Sequence, residues 1–217
     1  MKLLLPIAAC VAALAAAPLV VAPLAAQNAS PVLVRNTGVI LGVAANVSSI
    51  NSEDLTDGTD TGGGLDLRAG YAFTRNLALV LGLTGAAVDG EGDTYGLGHF
   101  DLGFRYSFAN PHRALVPYLE VAGTLRVLSQ EDSEPPPGSD VTTTEDLVIS
   151  GAGFTFGGGL QYFIAPAWAL GADLRFTNGE FSDVEYGDVT VDGFEFDATT
   201  TRLSLGISWF PQRQRDR

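Results

Sequence analysis

The sequence predicts an all-β fold: a transmembrane, up-and-down antiparallel β-barrel of eight strands after a cleaved signal peptide. Three observations predict it. Apolar and polar residues alternate with a period of two in repeated segments, and the connections between these segments are alternately short and long. In addition, 20 of the 25 acidic residues lie in the long connections, which contain no Lys or Arg.

The first 26 residues are typical of a secretory signal peptide. Lys2 supplies a basic start, residues 3–26 carry no charge, and small residues precede Gln27. This order of basic, apolar and small residues predicts cleavage after Ala26 and removal of Cys10 with the signal. A membrane-spanning helix is the alternative because the apolar run is long enough, but three prolines within it disfavour that interpretation.

Seven segments have the alternation of a strand with two different faces, and the more evenly apolar residues 38–47 supply an eighth strand. In residues 65–73 the odd positions are apolar, whereas the even positions are charged or small. The predicted strands cover residues 38–47, 65–73, 77–83, 100–108, 119–127, 154–162, 170–176 and 203–209. The predicted organisation is therefore a signal peptide (1–26), a lead-in (27–37), an outer-membrane β-barrel (38–210) and a periplasmic tail (211–217).

The connections differ in length on the two rims. Three are tight turns, at 75–76, 109–113 and 165–167. The others, at 48–62, 89–94, 129–149 and 178–201, are mostly long and polar. A transmembrane barrel has short turns towards the periplasm and longer loops outside, so this alternation favours a membrane barrel with acidic extracellular loops.

The two strand faces predict an apolar exterior and a charged interior. Aromatic residues collect outside near the short turns, as in the belts at lipid headgroups; the predicted belt comprises Tyr71, Phe73, Tyr106, Phe108, Tyr162 and Trp209. Buried charges require partners, so we expect the inward charges to form one compensating network. Its predicted members are Asp66, Arg68, Asp101, Arg105, Glu120, Arg126, Asp173, Arg175 and Arg202.

The repeated strand endings Gly70-Tyr71-Ala72-Phe73, Arg105-Tyr106-Ser107-Phe108 and Ile207-Ser208-Trp209-Phe210 carry a family resemblance. Together with the short-turn rhythm, they resemble the small eight-stranded outer-membrane barrels of Gram-negative bacteria, of the outer membrane protein A and X type, with a porin-like barrel domain. The resemblance covers residues 38–210. It implies outer-membrane localisation, and it implies recognition of the aromatic end of the last strand by the barrel-assembly machinery. The seven residues after Phe210 depart from the family's usual ending.

The leading functional hypothesis is a non-enzymatic membrane anchor that displays acidic loops for envelope integrity or surface adhesion. The interior of an eight-stranded barrel is just wide enough to be filled by its side chains, which disfavours a general porin with a wide pore. A narrow ion-conducting, porin-like channel remains an alternative. The expected partners are outer-membrane lipid, the barrel-assembly machinery, and divalent cations or a cell-surface ligand at the loops. We expect a monomer.

A lipid-modifying enzyme is a further alternative, but the mature chain has only His99 and His112 as imidazole bases, and no serine partner can be assigned from spacing. We expect an inward His99 that is hydrogen-bonded to the charge network. No catalytic residue, cofactor or metal site is predicted, and the net charge of −13 argues against nucleic-acid binding.

Two structural alternatives are weaker. A soluble barrel with a ligand inside would need apolar residues inside and polar residues outside, which is the reverse of the alternation in this sequence. Ten strands would need residues 180–191 to cross the membrane despite their acidic residues.

The last long connection contains the signal of a β-hairpin. Residues 189–196, with Asp192-Gly193 in the middle, predict a hairpin above the membrane, and we expect Phe194 and Phe196 to cover it.

Overall fold

The structure is a computed structural model that describes residues 37–51, 59–90, 94–110, 113–133, 145–186, 189–191 and 196–211. Its strands are β1 (Gly38–Asn51), β2 (Thr59–Ala72), β3 (Leu77–Asp89), β4 (Thr94–Ser107), β5 (Leu115–Ser133), β6 (Glu145–Ala165), β7 (Trp168–Tyr186), β8 (Val189–Val191) and β9 (Phe196–Trp209). Within these ranges no helix is long and apolar enough to cross a membrane.

Eight of these strands form a closed ring. Each of β1 to β6 pairs antiparallel with the next strand, β7 pairs with β9, and β9 pairs with β1. The three-residue β8 pairs only with β7 among the described strands and lies outside the ring. The predicted eight-stranded antiparallel barrel is therefore confirmed.

The strands are longer than the predicted segments at the rim opposite the tight turns, which we call the loop end. For example, β7 continues to Tyr186 and β5 to Ser133, so the predicted loops 48–62, 129–149 and 178–201 are partly strand. The predicted strands were too short because apolar and polar residues alternate only where the outward face of the strand is apolar. The hydrogen-bonded ladder continues beyond the point where the outward residues become polar.

The last connection also differs from its predicted form. Val189–Val191 pairs with Val184–Tyr186, so the described hairpin joins β7 and β8 rather than β8 and β9. The predicted tip, Asp192-Gly193, and Phe194 lie outside the described residues. Phe196 is buried inside the barrel, where its ring stacks on Phe181 at 5.0 Å between centroids. The described residues of this stretch, 180–186 and 189–191, belong to β7 and β8 and form no additional crossing.

The outer face is apolar and exposed. Leu65, Phe154 and Leu125 are 59–63% accessible, and they belong to a band of outward aliphatic and aromatic residues on all eight barrel strands. A soluble protein rarely exposes so large an apolar surface. The faces therefore have the polarity of a membrane barrel and not that of a soluble ligand-binding barrel.

The interior is arranged in three layers along the barrel axis. The turn-end cluster is apolar and contains Ile40, Ala72, Ala78, Val80, Val116, Phe163, Ala169 and Phe210. The loop-end cluster is also apolar and contains Ile50, Ala86, Val88, Leu97, Leu128, Ile149, Phe181, Phe196 and Ala198. Between them lies a charged layer, defined here as the nine predicted network residues. Two apolar clusters thus lie on the two sides of the charged layer along the barrel axis.

Inward glycines permit close strand approach in this narrow barrel. A Cβ added at Gly103 would lie 2.0 Å from the carbonyl oxygen of Val121, and one at Gly206 would lie 2.2 Å from that of Val43. Gly171 differs, because its nearest atom would be 3.8 Å away. Most of the inward glycines are thus required by packing, whereas Gly171 leaves space.

Candidate functional site: the charged lumen

All nine residues of the charged layer point into the barrel. Eight of them are buried, and the side chain of the ninth, Arg68, is 13% exposed. They come from β2, β4, β5, β7 and β9, and they alternate with outward apolar residues on each strand. The period of two therefore directs these charges to one interior.

Asp101 on β4 is the centre of the network. Its carboxylate accepts hydrogen bonds from Arg202 Nη1 at 2.7 Å and Nη2 at 3.1 Å, and from Arg175 Nη1 at 3.0 Å. The Thr124 hydroxyl donates a further bond at 2.7 Å. Since Arg202 and Arg175 come from β9 and β7, these bonds cross the lumen and tie non-adjacent strands together.

A second group surrounds Arg68. Its Nη2 donates to Asp66 and to Asp173, at 2.6 Å in both cases. Arg175 also donates to both carboxylates, through Nη2 to Asp66 and through Nε to Asp173 at 3.1 Å. Two arginines and two aspartates therefore share four ion pairs, and Arg175 connects this group to Asp101.

Arg105 and Glu120 form a separate pair between adjacent strands β4 and β5. Arg105 Nη2 and Nε donate to Glu120 Oε2 at 2.8 and 3.0 Å. The Arg105 guanidinium lies 4.2 Å from the centre of the Tyr118 ring, a cation–π distance. This ion pair therefore joins neighbouring strands and does not cross the lumen.

Arg126 differs from the other arginines. It is fully buried, yet within the described part of the chain no carboxylate lies at ion-pair distance from it. Its Nη1 donates to the backbone carbonyl of Ala198 at 2.8 Å, and its guanidinium lies 4.4 Å from the Phe181 ring centre. The alternation placed Arg126 inside, but no ion pair joins it to the four carboxylates of the charged layer; the opposite charge that acts on it is Asp197 on β9.

His99 also departs from expectation. It points inward and is 3% exposed, but neither ring nitrogen has a hydrogen-bond partner among the described residues. The expectation that it is hydrogen-bonded to the network is therefore wrong. The carboxylate of Asp101, which follows His99 on the inward face of β4, already accepts hydrogen bonds from arginine and threonine donors. His112 lies outside the described residues.

The predicted aromatic residues lie on the outer surface near the turn end and are 40–57% exposed. Tyr71 contacts Phe73 edge to face, and Tyr106 contacts Phe108 in the same way. The prediction missed Trp168, which stacks on Trp209 at 5.9 Å. Its position directly after the 165–167 turn was the available signal.

Two cavities adjoin the interior. A cavity of about 20 Å³ lies beside Asp66, Arg68 and Asp173, which is room for about one water molecule. A larger one of about 170 Å³ lies at the loop end beside Tyr95 and Leu128.

Tyr95 lies above the apolar band, because its outward neighbours are Thr94 and Gly96. Its hydroxyl donates to Asp60 at 2.9 Å, and partial burial together with this bond raises the pKa of Tyr95 well above its usual value. In the described segments no cluster of His, Cys, Asp or Glu is suitable for holding a metal ion.

A model of the outer membrane protein β-barrel domain matches residues 8–207. The chain belongs to this outer-membrane β-barrel family. No curated protein matches its sequence. Among solved structures, Neisserial surface protein A is similar at 18% identity and a TM-score of 0.61, with 80% of this chain and 97% of that chain covered.

Two further barrels of solved structure are similar to this chain at lower sequence identity. The outer membrane protein OprG of Pseudomonas aeruginosa has 14% identity and a TM-score of 0.52, with 82% and 98% coverage of the two chains. The attachment invasion locus protein Ail of Yersinia pestis has 11% identity and a TM-score of 0.50, with 81% and 99% coverage. At these identities the likeness concerns the fold alone.

Proposed function

We propose that this chain is a closed, non-enzymatic protein of the outer membrane of a Gram-negative bacterium. Its barrel anchors acidic loops that serve envelope integrity or surface contact. The observation that carries this proposal is the three-layered interior. The turn-end and loop-end clusters enclose a charged layer whose members mostly bind one another.

Closure follows from packing on both sides of the charges. Phe163 and Phe210 lie 5.1 Å apart at the turn end, and Phe181 and Phe196 stack at the loop end. The cavity beside Arg68 holds about one water molecule, so it provides no continuous path for hydrated ions. These features favour an anchor over the narrow channel.

A non-enzymatic role is supported by the surroundings of His99. Hydrolytic or acyl-transfer catalysis needs a nucleophile within hydrogen-bond reach of its base. No serine or threonine hydroxyl of the described residues bonds to His99. A His99→Ala variant should therefore leave the lipid composition of the outer membrane unchanged, and altered lipid A or phospholipid would support the enzyme alternative.

The loops give the anchor its outward chemistry. Ail has also been solved with the heparin analogue sucrose octasulfate. The long connections of this chain contain 20 acids and no Lys or Arg, so we propose divalent cations or a cationic cell-surface ligand as their partners. Saturable calcium binding in calorimetry would support divalent cations as the partners. Saturable binding of the polyanion sucrose octasulfate would contradict the inference that the acidic loops select cationic partners.

Insertion and oligomeric state follow from the barrel itself. We propose that outer-membrane lipid covers the apolar band and that the barrel-assembly machinery recognises β9, which ends in Trp209 with Phe210 directly after it. A closed ring leaves none of its strands unpaired, so the chain is proposed to be a monomer.

Single-channel recording on the refolded protein in planar bilayers tests closure. We expect no stepwise conductance from the wild type. A Phe181→Ala variant thins the loop-end cluster and removes the ring beside Arg126 but leaves the ion pairs of the charged layer in place, so it should also be silent. Reproducible wild-type steps that disappear in Asp101→Ala or Arg105→Ala would instead establish the ion-conducting channel.

A further inference from the structure

The cavity of about 170 Å³ at the loop end has an apolar wall. Leu128, Leu147 and Ile149 line it, and Leu128 and Ile149 are members of the loop-end cluster. Asp60 and Tyr95 line it from the other strands, and each is the second residue of its strand. The cavity therefore lies beside the loop-end cluster, at the level where β2 and β4 begin.

One residue of this wall carries a charge. Asp60 is 8% exposed, and its carboxylate accepts a hydrogen bond from the Tyr95 hydroxyl at 2.9 Å. The remaining lining residues, Ser129 and Gln130, are neutral. Among the described residues that line the cavity, Asp60 is thus the single ionised group.

Asp60 has no basic partner in the described part of the chain. No ion pair joins it to an arginine: four lumen arginines pair with other carboxylates, and Arg126 donates to the Ala198 carbonyl. The four long connections contain no Lys or Arg, so their sequence offers no basic side chain either. A buried carboxylate is costly without an opposite charge, and the phenol of Tyr95 supplies only a hydrogen bond.

The charge, the wall and the volume together restrict the ligand. The carboxylate favours a cation, and the leucine and isoleucine side chains favour a hydrocarbon group over a hydrated metal ion. An apolar cavity of about 150 Å³ is large enough for benzene, so this one has room for about six or seven carbon atoms.

We propose that this cavity, the Asp60 pocket, binds a small organic ammonium ion with a hydrocarbon group of that size. Asp60 accepts hydrogen bonds from the ammonium group, and Leu128, Leu147 and Ile149 contact the hydrocarbon. The inference goes beyond the proposed function, because the pocket lies within the barrel mouth and does not depend on the partners proposed for the acidic loops.

The test is a methyl NMR titration of the refolded barrel in detergent with benzylammonium, benzyl alcohol and benzoate. These probes have the same ring and nearly the same size but differ in charge. A salt concentration of about 0.15 M screens the distant loop acids. Benzylammonium should shift the methyl signals of Leu128, Leu147 and Ile149 saturably, and Leu125, which is outward and 59% exposed, reports partition of the probe into detergent.

Benzylammonium should bind at least about tenfold more tightly than benzyl alcohol, because hydrogen bonds to a charged group are the stronger ones. Benzoate should cause no saturable shift. Equal affinities of benzylammonium and benzyl alcohol, or shifts confined to Leu125, overturn the proposal.

Asp60→Asn preserves the size of the side chain and removes its charge, so it should lose the preference for benzylammonium. Asp89→Asn is the matched control, because Asp89 is an exposed acid at the same end of the barrel that does not line the cavity. It should keep the tenfold preference. A preference that persists in Asp60→Asn, or one that disappears in Asp89→Asn, overturns the proposal.

A measurement on the wild type decides the matter if Asp60→Asn does not fold. Nuclear Overhauser effects between the benzyl ring protons and the methyl groups of Leu147 and Ile149 support the site, and their absence at saturation overturns it. A negative calcium titration would contradict the divalent cations proposed for the loops and would leave this result unchanged.

Discussion

Neutralising Asp101 should destabilise the barrel more than any change at an exposed acid. Asp101→Asn preserves the size of the side chain but removes the charge that Arg175 and Arg202 share through three hydrogen bonds of 2.7–3.1 Å. It leaves two buried guanidinium groups short of a counter-charge. Breaking a buried ion pair by removing one partner costs about 3–5 kcal/mol, so we expect a loss in that range. Even the lower value reduces the folded-to-unfolded ratio by more than about 100-fold.

The assay is urea-induced unfolding of the refolded barrel in detergent, with gel mobility and circular dichroism as independent probes. Asp89→Asn is the control, because Asp89 is an exposed acid at the end of β3 that accepts a hydrogen bond from the Thr94 hydroxyl at 3.1 Å. Its free energy of unfolding should stay within about 0.5 kcal/mol of the wild type. If Asp101→Asn were as stable as Asp89→Asn, the lumen charges would not be held together as described.

Three further predictions concern packing, the aromatic belt and pH. Gly103→Ala should abolish the compact, heat-modifiable gel band because a Cβ would strike backbone, whereas Gly123→Ala, whose Cβ would meet nothing within 4 Å, should fold normally. A double-mutant cycle with Trp168→Ala and Trp209→Ala should give a coupling free energy of about 0.5–1.5 kcal/mol in the unfolding assay, and additive losses would show that the stack contributes nothing. Tyr95 has a raised pKa in the folded barrel, so its stabilising contribution is present below about pH 10 and decreases as pH rises towards the folded pKa. In unfolding titrations at alkaline pH the wild type should lose more stability than Tyr95→Phe, and equal losses would contradict this assignment.

Strand bounds show where prediction from sequence stops. The alternation in residues 170–176 identified β7, but β7 extends from Trp168 to Tyr186. Beyond the apolar band its outward residues include Asn178 and Glu180, so the pattern disappears while the pairing with β6 and β9 continues. Hydrophobic periodicity measures contact with lipid, whereas strand length is set by hydrogen bonding between chains that are distant in sequence.

The charged layer shows the same limit inside the barrel. The alternation of odd and even positions correctly placed Arg126 and His99 on the inward face, since successive side chains of a strand point to opposite faces. Parity could not show that the carboxylates would be taken by other arginines. Arg202, for example, pairs with Asp101, which lies 101 positions away along the chain.

The sequence by itself determined the fold class, the inside and outside of each strand, and the rim that carries the acidic loops. Those properties depend on a period of two and on the order of short and long connections, both of which are local. Only the tertiary structure decided which charges meet, which apolar residues flank them towards the two ends, and that Arg126 takes no part in the ion pairs of the charged layer. These outcomes depend on the register and the diameter of the closed ring, because both set the distance between side chains on opposite walls.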